Sequence, residues 1–188
     1  SRIIKILPTI KFLIKKKAKI IIFSHIGRPK GKVVNGMSLK PISKKLSDLL
    51  NIEVLFNNNE INEKTVTETN KIPNGSVMMM ENIRFYEGEE KNDDSFSKKI
   101  SRLGDIYVND AFSCSHRAHA SIREIPKFLP SFSGLQFDLE VNALTKITSK
   151  ITRPVTCIIG GSKISTKINV IKNLITKFDN IVIVGGMA

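Results

Sequence analysis

All three histidines of the 188-residue chain, His25, His116 and His119, lie in short runs that also carry an arginine. The runs are Ser24-His25-Ile26-Gly27-Arg28-Pro29 and His116-Arg117-Ala118-His119, and a third run, Glu81-Asn82-Ile83-Arg84-Phe85, adds Arg84. Arginine grips carboxylate or phosphate oxygens with a planar fork of donors and stays charged at any working pH. Several arginines facing one another would repel unless an anion lay between them, so the pattern points to an anion site. Gly27 would let the backbone approach such a ligand closely. Taken singly, each of these residues is most simply a surface or salt-bridged side chain. Their concurrence in three loops favours the functional reading.

A second cluster, Ile159-Gly160-Gly161-Ser162-Lys163-Ile164-Ser165-Thr166-Lys167, follows a strand-like run and opens a helix-like one. Free backbone N–H groups and the helix dipole receive phosphate in that geometry. Lys163 and Lys167 are four apart, which predicts one helix face reaching toward a single oligophosphate. The spacing does not match the G-x-x-x-x-G-K-[ST] pattern, and a tight turn with a solvated lysine accounts for it equally well.

Other groups carry less. Glu87, Glu89, Glu90, Asp93 and Asp94 lack the glycine and ligand spacing of an EF-hand, which favours a solvated loop and helix start and gives no protein metal site. Cys114 lies two residues from His116, poor geometry for a nucleophilic dyad, and is expected as a buried small residue. Met78–Met80 is expected to fill core space, and Asp110 to brace a loop rather than to catalyse.

The elements that must position these residues alternate short β-branched runs with amphipathic segments. Residues 3–17 read as a helix kinked or restarted at Pro8. Strands are predicted at Lys19–Phe23, Ile52–Phe56, Val77–Met80 and Ile106–Val108, and helices at Leu39–Leu50, with Ser38 as N-cap, and Asp94–Leu103. A helix over Gly134–Thr148 offers Leu135, Leu139 and Leu144 for packing. Beyond Arg153-Pro154 come strand Val155–Ile159, helix Lys163–Thr176 and strand Ile181–Val184, ending in Gly185-Gly186. The alternation predicts an α/β fold, a three-layer Rossmann-like parallel sheet with strands buried on both faces. A boundary falls near 149–154, and the second α/β unit reads as cut short. The polar loops sit at the carboxyl ends of strands, where open α/β sheets bind ligands.

Thirty Lys and Arg against 17 Asp and Glu give a formal charge of +13. The lysine runs accompany abundant Ile and Asn, a bias that an AT-rich genome would impose, so the arginines at loop positions are the more informative charges. No stretch has the roughly 20 apolar residues that span a bilayer, and no signal peptide is recognisable. Two cysteines, Cys114 and Cys157, make no disulfide framework, and a cytoplasmic location is expected. Ser1 is not an initiator methionine, so truncation or processing is expected.

The segments RIIKILPTIKFL (2–13), SHIGRPKG (24–31), ENIRFYEGEEKND (81–93), DIYVNDAFSCSHRAHAS (105–121), IIGGSKISTKI (158–168) and IVIVGGMA (181–188) together resemble the phosphoglycerate kinases, in that family's order. The resemblance implies an acid-substrate domain over residues 1–133 lacking its first strand, an interdomain helix and linker over 134–152, and the beginning of a nucleotide-binding domain over 153–188. It implies reversible phosphoryl transfer from 1,3-bisphosphoglycerate to ADP, giving 3-phosphoglycerate and ATP, with Mg2+ bound alongside the nucleotide. Arg2 would reach the transferring phosphoryl group. His25, Ile26, Gly27, Arg28, Arg84, Arg117 and His119 would hold the acid. Gly160, Gly161, Lys163, Lys167, Gly185 and Gly186 would face the nucleotide, with Lys167 also catalytic. Cys114-Ser115 departs from the small residues more usual there. The resemblance further implies a cytoplasmic monomer, and a partial chain inactive by itself. Two other readings compete: a basic nucleic-acid-binding module and a non-catalytic anion-binding domain. The first lacks the interleaved aromatics that such modules use, with aromatics at 6%.

Overall fold

A computed structural model describes residues 2–149, 151–163, 165 and 167–187. They form two compact units, Ser1–Asp138 and Leu139–Ala188.

The first unit opens with helix α1 (Arg2–Lys15), then strand β1 (Ile20–Ile22), helix α2 (Lys40–Leu50), strand β2 (Val54–Asn57), helix α3 (Glu63–Lys71) and strand β3 (Val77–Met80). Short helix α4 (Glu87–Glu90), helix α5 (Asp94–Ser101), strand β4 (Tyr107–Asn109) and strand β5 (Ser131–Ser133) complete it, and helix α6 (Leu135–Ser149) runs across the division. Strands β1, β3 and β2 make a parallel sheet in that order, and β4 and β5 a parallel pair.

The central strand explains the layering. Side chains alternate across a strand, so Val77 and Met79 join a core with Ile10 from α1 and with Leu39 and Leu46 at the N-cap and middle of α2. Met78 and Met80 join the opposite core with Ile61, Phe96, Ile100 and Leu103. Helices thus cover both faces of the three-stranded sheet, the predicted three-layer α/β arrangement, and the methionines fill core space as expected. Burial on both faces holds fully only for β3, whose four residues are all buried; β1 and β2 are edge strands and partly open, and β5 is exposed.

Several local expectations shift. Helix α1 runs through Pro8 without restarting. Helix α2 is capped at Leu39 rather than Ser38, with Pro41 in its first turn; the Ser38 hydroxyl still accepts from the Lys40 N–H at 3.2 Å. Helix α3 has no counterpart in the sequence reading. It is capped by Asn62, whose side chain accepts from the N–H groups of Lys64 and Thr65, and its buried residues are Thr65 and Thr69. Helix α6 buries no residue, and Leu135, Leu139 and Leu144 are exposed, because they lie outside both apolar cores.

The second unit pairs β6 (Thr156–Gly160) in parallel with β7 (Asn180–Val184), connected through helix α7 (Ile168–Ile175). Asp179 ties the turn together, accepting from the Val155 N–H at 2.7 Å and from Arg153. Its strands are exposed or partly buried apart from Ile159, which is buried, and α7 buries no residue. Among the described residues, no helix is long and apolar enough to cross a membrane.

Candidate anion-binding site

Two of the three predicted loops are stitched into one body. The Asn82 amide, fully buried after β3, donates to the carbonyls of Ile26 and Met37, each at 2.9 Å, and accepts from the Arg84 N–H at 3.1 Å. The Arg84 guanidinium donates through Nη1 to the Gly27 carbonyl at 2.7 Å. The Ile83 N–H donates to the Ser24 carbonyl, and the Gly31 N–H to the Arg84 carbonyl, both at 3.1 Å. Glu81 braces the same corner from outside, accepting from the N–H groups of Leu39 and Asn82 and from the Ser38 hydroxyl. Gly31 earns its place by geometry: its φ is +74°, and a Cβ there would sit 3.0 Å from the Glu87 Cα.

Arg84 is 3% exposed, and its Nε, which makes no hydrogen bond, faces Glu90 Oε1 at 3.5 Å. A guanidinium this enclosed is held in one orientation. The electrostatics converge on His25. Its pKa is lowered to about 4, first by burial and then by the positive fields of Arg84, Arg117, His119 and Arg2. Those four basic groups come from α1, from the loop after β3 and from the loop after β4; of the predicted set, Arg84, Arg117 and His119 act on His25, while Arg28 and His116 are not among them. Arg28 lies exposed on the same loop, and His116 is exposed while Arg117 and His119 are partly buried. The carbonyls of Ile26 and Gly27 are taken up in bracing Asn82 and Arg84.

The acidic run is exposed as expected at Glu87, Glu90, Asp93 and Asp94, and Glu89 alone departs from that expectation. Glu89 is 2% exposed rather than solvated, accepting from the Ser121 N–H at 2.9 Å and the Ser121 hydroxyl at 2.7 Å, with His119 Nδ1 at 3.6 Å. Burial pushes its carboxyl above the ordinary range, while the Ser121 bonds and the charges of His119 and Arg84 pull the other way. Asp93 caps α5, accepting from the Phe96 N–H. Asp110 is the expected loop brace: it accepts from the Thr9 hydroxyl at 2.6 Å and from the Phe137 N–H at 2.9 Å, and Thr9 in turn accepts from the Leu135 N–H. Cys114 is half-buried rather than buried, with Ser113 as its neighbour. A cavity of about 230 Å³ lined by Tyr107, Ile122, Pro126, Phe132 and Phe137 holds none of the basic residues, which leaves the charge cluster as the candidate anion site.

In the second unit the two glycine turns meet. Gly160 and Gly161 end β6 beside Gly185 and Gly186, which follow β7; the backbone carbonyl of Gly161 lies 3.5 Å from where a Gly185 Cβ would be. A Cβ on Gly161 would lie 3.0 Å from both Lys167 Cε and Met187 Sδ, so the Lys167 stem lies against the turn. Helix α7 starts only at Ile168, with Lys167 as its N-cap residue. Lys163 and Lys167 therefore do not share a helix face; what brings Lys167 to the turn is the missing side chain at Gly161. Ile164 and Thr166, between them, lie outside the described residues.

Glu89, Asn82 and Ser121 were not singled out as site residues from the sequence. The place of Asn82 two residues after the end of β3 was the available signal. For Glu89 there was none, since its neighbours in the run are exposed acids.

An α/β unit whose strand-end loops gather arginines and histidines defines a class of anion-handling enzyme folds. The family model described as phosphoglycerate kinase matches residues 1–188, and the chain belongs to that family. It is 48% identical to the phosphoglycerate kinase of a Wolbachia of Drosophila simulans over 188 residues, all of this chain and 47% of that protein. With the enzyme of Coprothermobacter proteolyticus it shares 46% over 186 residues, 99% of this chain and 47% of the relative. The phosphoglycerate kinase structure from Coxiella burnetii superposes with a TM-score of 0.86 at 35% identity, covering 98% of this chain and 46% of that one. The chain spans about half the length of the curated relatives it matches.

Proposed function

We propose that this chain carries the acid-binding half of a phosphoglycerate kinase and the start of its nucleotide half. The whole protein would transfer a phosphoryl group reversibly between 1,3-bisphosphoglycerate and ADP. The observation that supports this most is His25, set in the combined field of Arg84, Arg117, His119 and Arg2. Like charges gathered this closely cost free energy in the absence of an anion, and a phosphorylated carboxylic acid supplies both kinds of oxygen that arginine prefers.

In this reading His25, Arg28, Arg84, Arg117 and His119, with the backbone of Ile26 and Gly27, hold the acid. Arg2 reaches the phosphoryl group in transit. Gly160, Gly161, Lys163, Lys167, Gly185 and Gly186 face the nucleotide, and Lys167 neutralises charge on the transferring group. Transfer is direct and in line, needing positioning and neutralisation rather than a protein nucleophile, and closure would exclude water that could hydrolyse the acyl phosphate. Among the described residues no cluster of three or more His, Cys, Asp or Glu side chains is placed to hold a metal ion. We assign Mg2+ to the nucleotide phosphates. A cytoplasmic monomer completes the proposal.

Calorimetric titration of 3-phosphoglycerate into the chain and its Arg117→Ala variant tests the acid pocket. Removing one charge-assisted contact is expected to weaken binding by at least about tenfold. Equal affinity in the two proteins would exclude Arg117 from the site. A nucleic-acid module would instead bind duplex or single-stranded DNA with steep salt dependence and leave 3-phosphoglycerate alone.

A further inference from the structure

Behind the basic cluster stands α4, whose acids face the basic side chains one for one: Glu90 faces Arg84 at 3.5 Å, and Glu89 faces His119 at 3.6 Å. Their environments differ sharply. Glu90 is partly open to solvent, whereas the Glu89 side chain is 3% exposed. A buried carboxylate is costly unless its oxygens are satisfied. Here both oxygens are used, one accepting from the Ser121 N–H and the other from the Ser121 hydroxyl, two residues beyond His119. The same stretch is pinned from α5 and its preceding turn: the Ser97 hydroxyl donates to the Ala120 carbonyl, and the Asn92 amide donates to Glu124 at 2.7 Å.

We propose that Glu89 is a positioning residue, a buried carboxylate that fixes the 119–121 segment and turns the His119 ring so that Nδ1 faces inward and Nε2 is left to the substrate. The inference rests on the acid-pocket reading above for its consequence in binding, but not for its structural content. A carboxylate against one ring nitrogen sets which nitrogen carries the proton and how the ring is turned, the same supporting role that outer carboxylates play behind metal-bound histidines. Glu89 also joins the two arms of the pocket. It lies in α4, directly after the turn that carries Arg84, and it grips the loop that carries Arg117 and His119. One side chain therefore sets the spacing between the basic groups that an acid must bridge.

The test compares Glu89→Gln, which keeps size and one acceptor but removes the negative charge, with the unaltered chain. The ring-nitrogen chemical shifts of His119 are followed by long-range proton–nitrogen NMR without ligand. The proton is expected to reside on Nδ1 in the unaltered chain and to move wholly or partly to Nε2 in Glu89→Gln, while the His25 signals hold their positions. The affinity for 3-phosphoglycerate is expected to fall about tenfold. Unchanged His119 nitrogen shifts in the variant would overturn the inference whatever the ligand does. Should Glu89→Gln fail to fold, Ser121→Ala keeps the charge, removes one of the two bonds holding it, and is expected to show the same His119 change in smaller measure. No change there would likewise overturn it. If Arg117→Ala weakens 3-phosphoglycerate binding while Glu89→Gln does not, the pocket stands and the positioning role falls. If neither chain binds the acid, the pocket reading falls and the His119 tautomer alone decides the role of Glu89.

Discussion

The two corners proposed to face ligands are built by opposite means. In the first unit, a buried polar frame holds the charged side chains: Asn82, Glu81 and Glu89 tie the loops after β1, β3 and β4 to one another through side-chain hydrogen bonds. In the second, the work falls to absent side chains. Gly160-Gly161 and Gly185-Gly186 bring two turns together, and the Lys167 stem lies where a Gly161 Cβ would intrude. The first corner rests on a sheet with a core on each face, the second on two strands with exposed flanks. A framed charge cluster needs such a foundation, because repulsion among its cations must be offset by packing and hydrogen bonds elsewhere. A glycine turn needs only space.

The largest consequence is a difference in local stability. Amide hydrogen exchange of Val77–Met80 in β3 is expected to be slower than that of β6 and β7 by several orders of magnitude, since β3 is buried throughout while β6 and β7 bury Ile159 alone. Equal protection in the two sheets would erase the contrast.

Next in size is Gly31→Ala. It places a Cβ 3.0 Å from the Glu87 backbone at a φ of +74° and is expected to destabilise the first unit by about 1–3 kcal/mol. Urea denaturation followed by the β3 amides measures this. Gly161→Ala is expected to leave that midpoint unchanged while weakening ATP binding, because Lys167 must move to make room.

The smallest effect is set by pH. The folded-state pKa of His25, about 4, lies below its ordinary 6.5, so between those values the unfolded chain binds the proton and the folded chain does not. The contribution of His25 to stability is thus full above pH 6.5, declines as the pH falls toward 4, and levels off below. Denaturation midpoints at pH 7 and pH 5 are expected to differ in that direction, and His25→Gln is expected to shrink the difference. A variant with the unaltered pH dependence would assign the effect to other groups.

The sequence carried the frame of the fold well and its supports poorly. Val77–Met80 was legible because a short apolar run between turn residues has few other uses, and the observed strand matches it residue for residue. The basic loops were legible because arginine and histidine are scarce in this lysine-rich chain. Helix α3 was not, since its inward face presents Thr65 and Thr69 instead of an apolar stripe. The pairing of Lys163 with Lys167 by helical spacing failed because α7 begins after both. Glu89 was indistinguishable by type from Glu87 and Glu90; only the fold decides which of three neighbouring acids turns inward.

The central claim is that the cations around His25 await an anion, and the titration of His25 itself tests it most directly. Proton NMR should follow the His25 ring across pH in the chain alone and with saturating 3-phosphoglycerate. Without ligand the midpoint is expected near 4. With the acid bound, its negative charge offsets the fields of Arg84, Arg117, His119 and Arg2, and the midpoint is expected to rise by about one unit or more. A midpoint that stays in place while the ligand demonstrably binds would contradict the account, because the anion would then lie elsewhere.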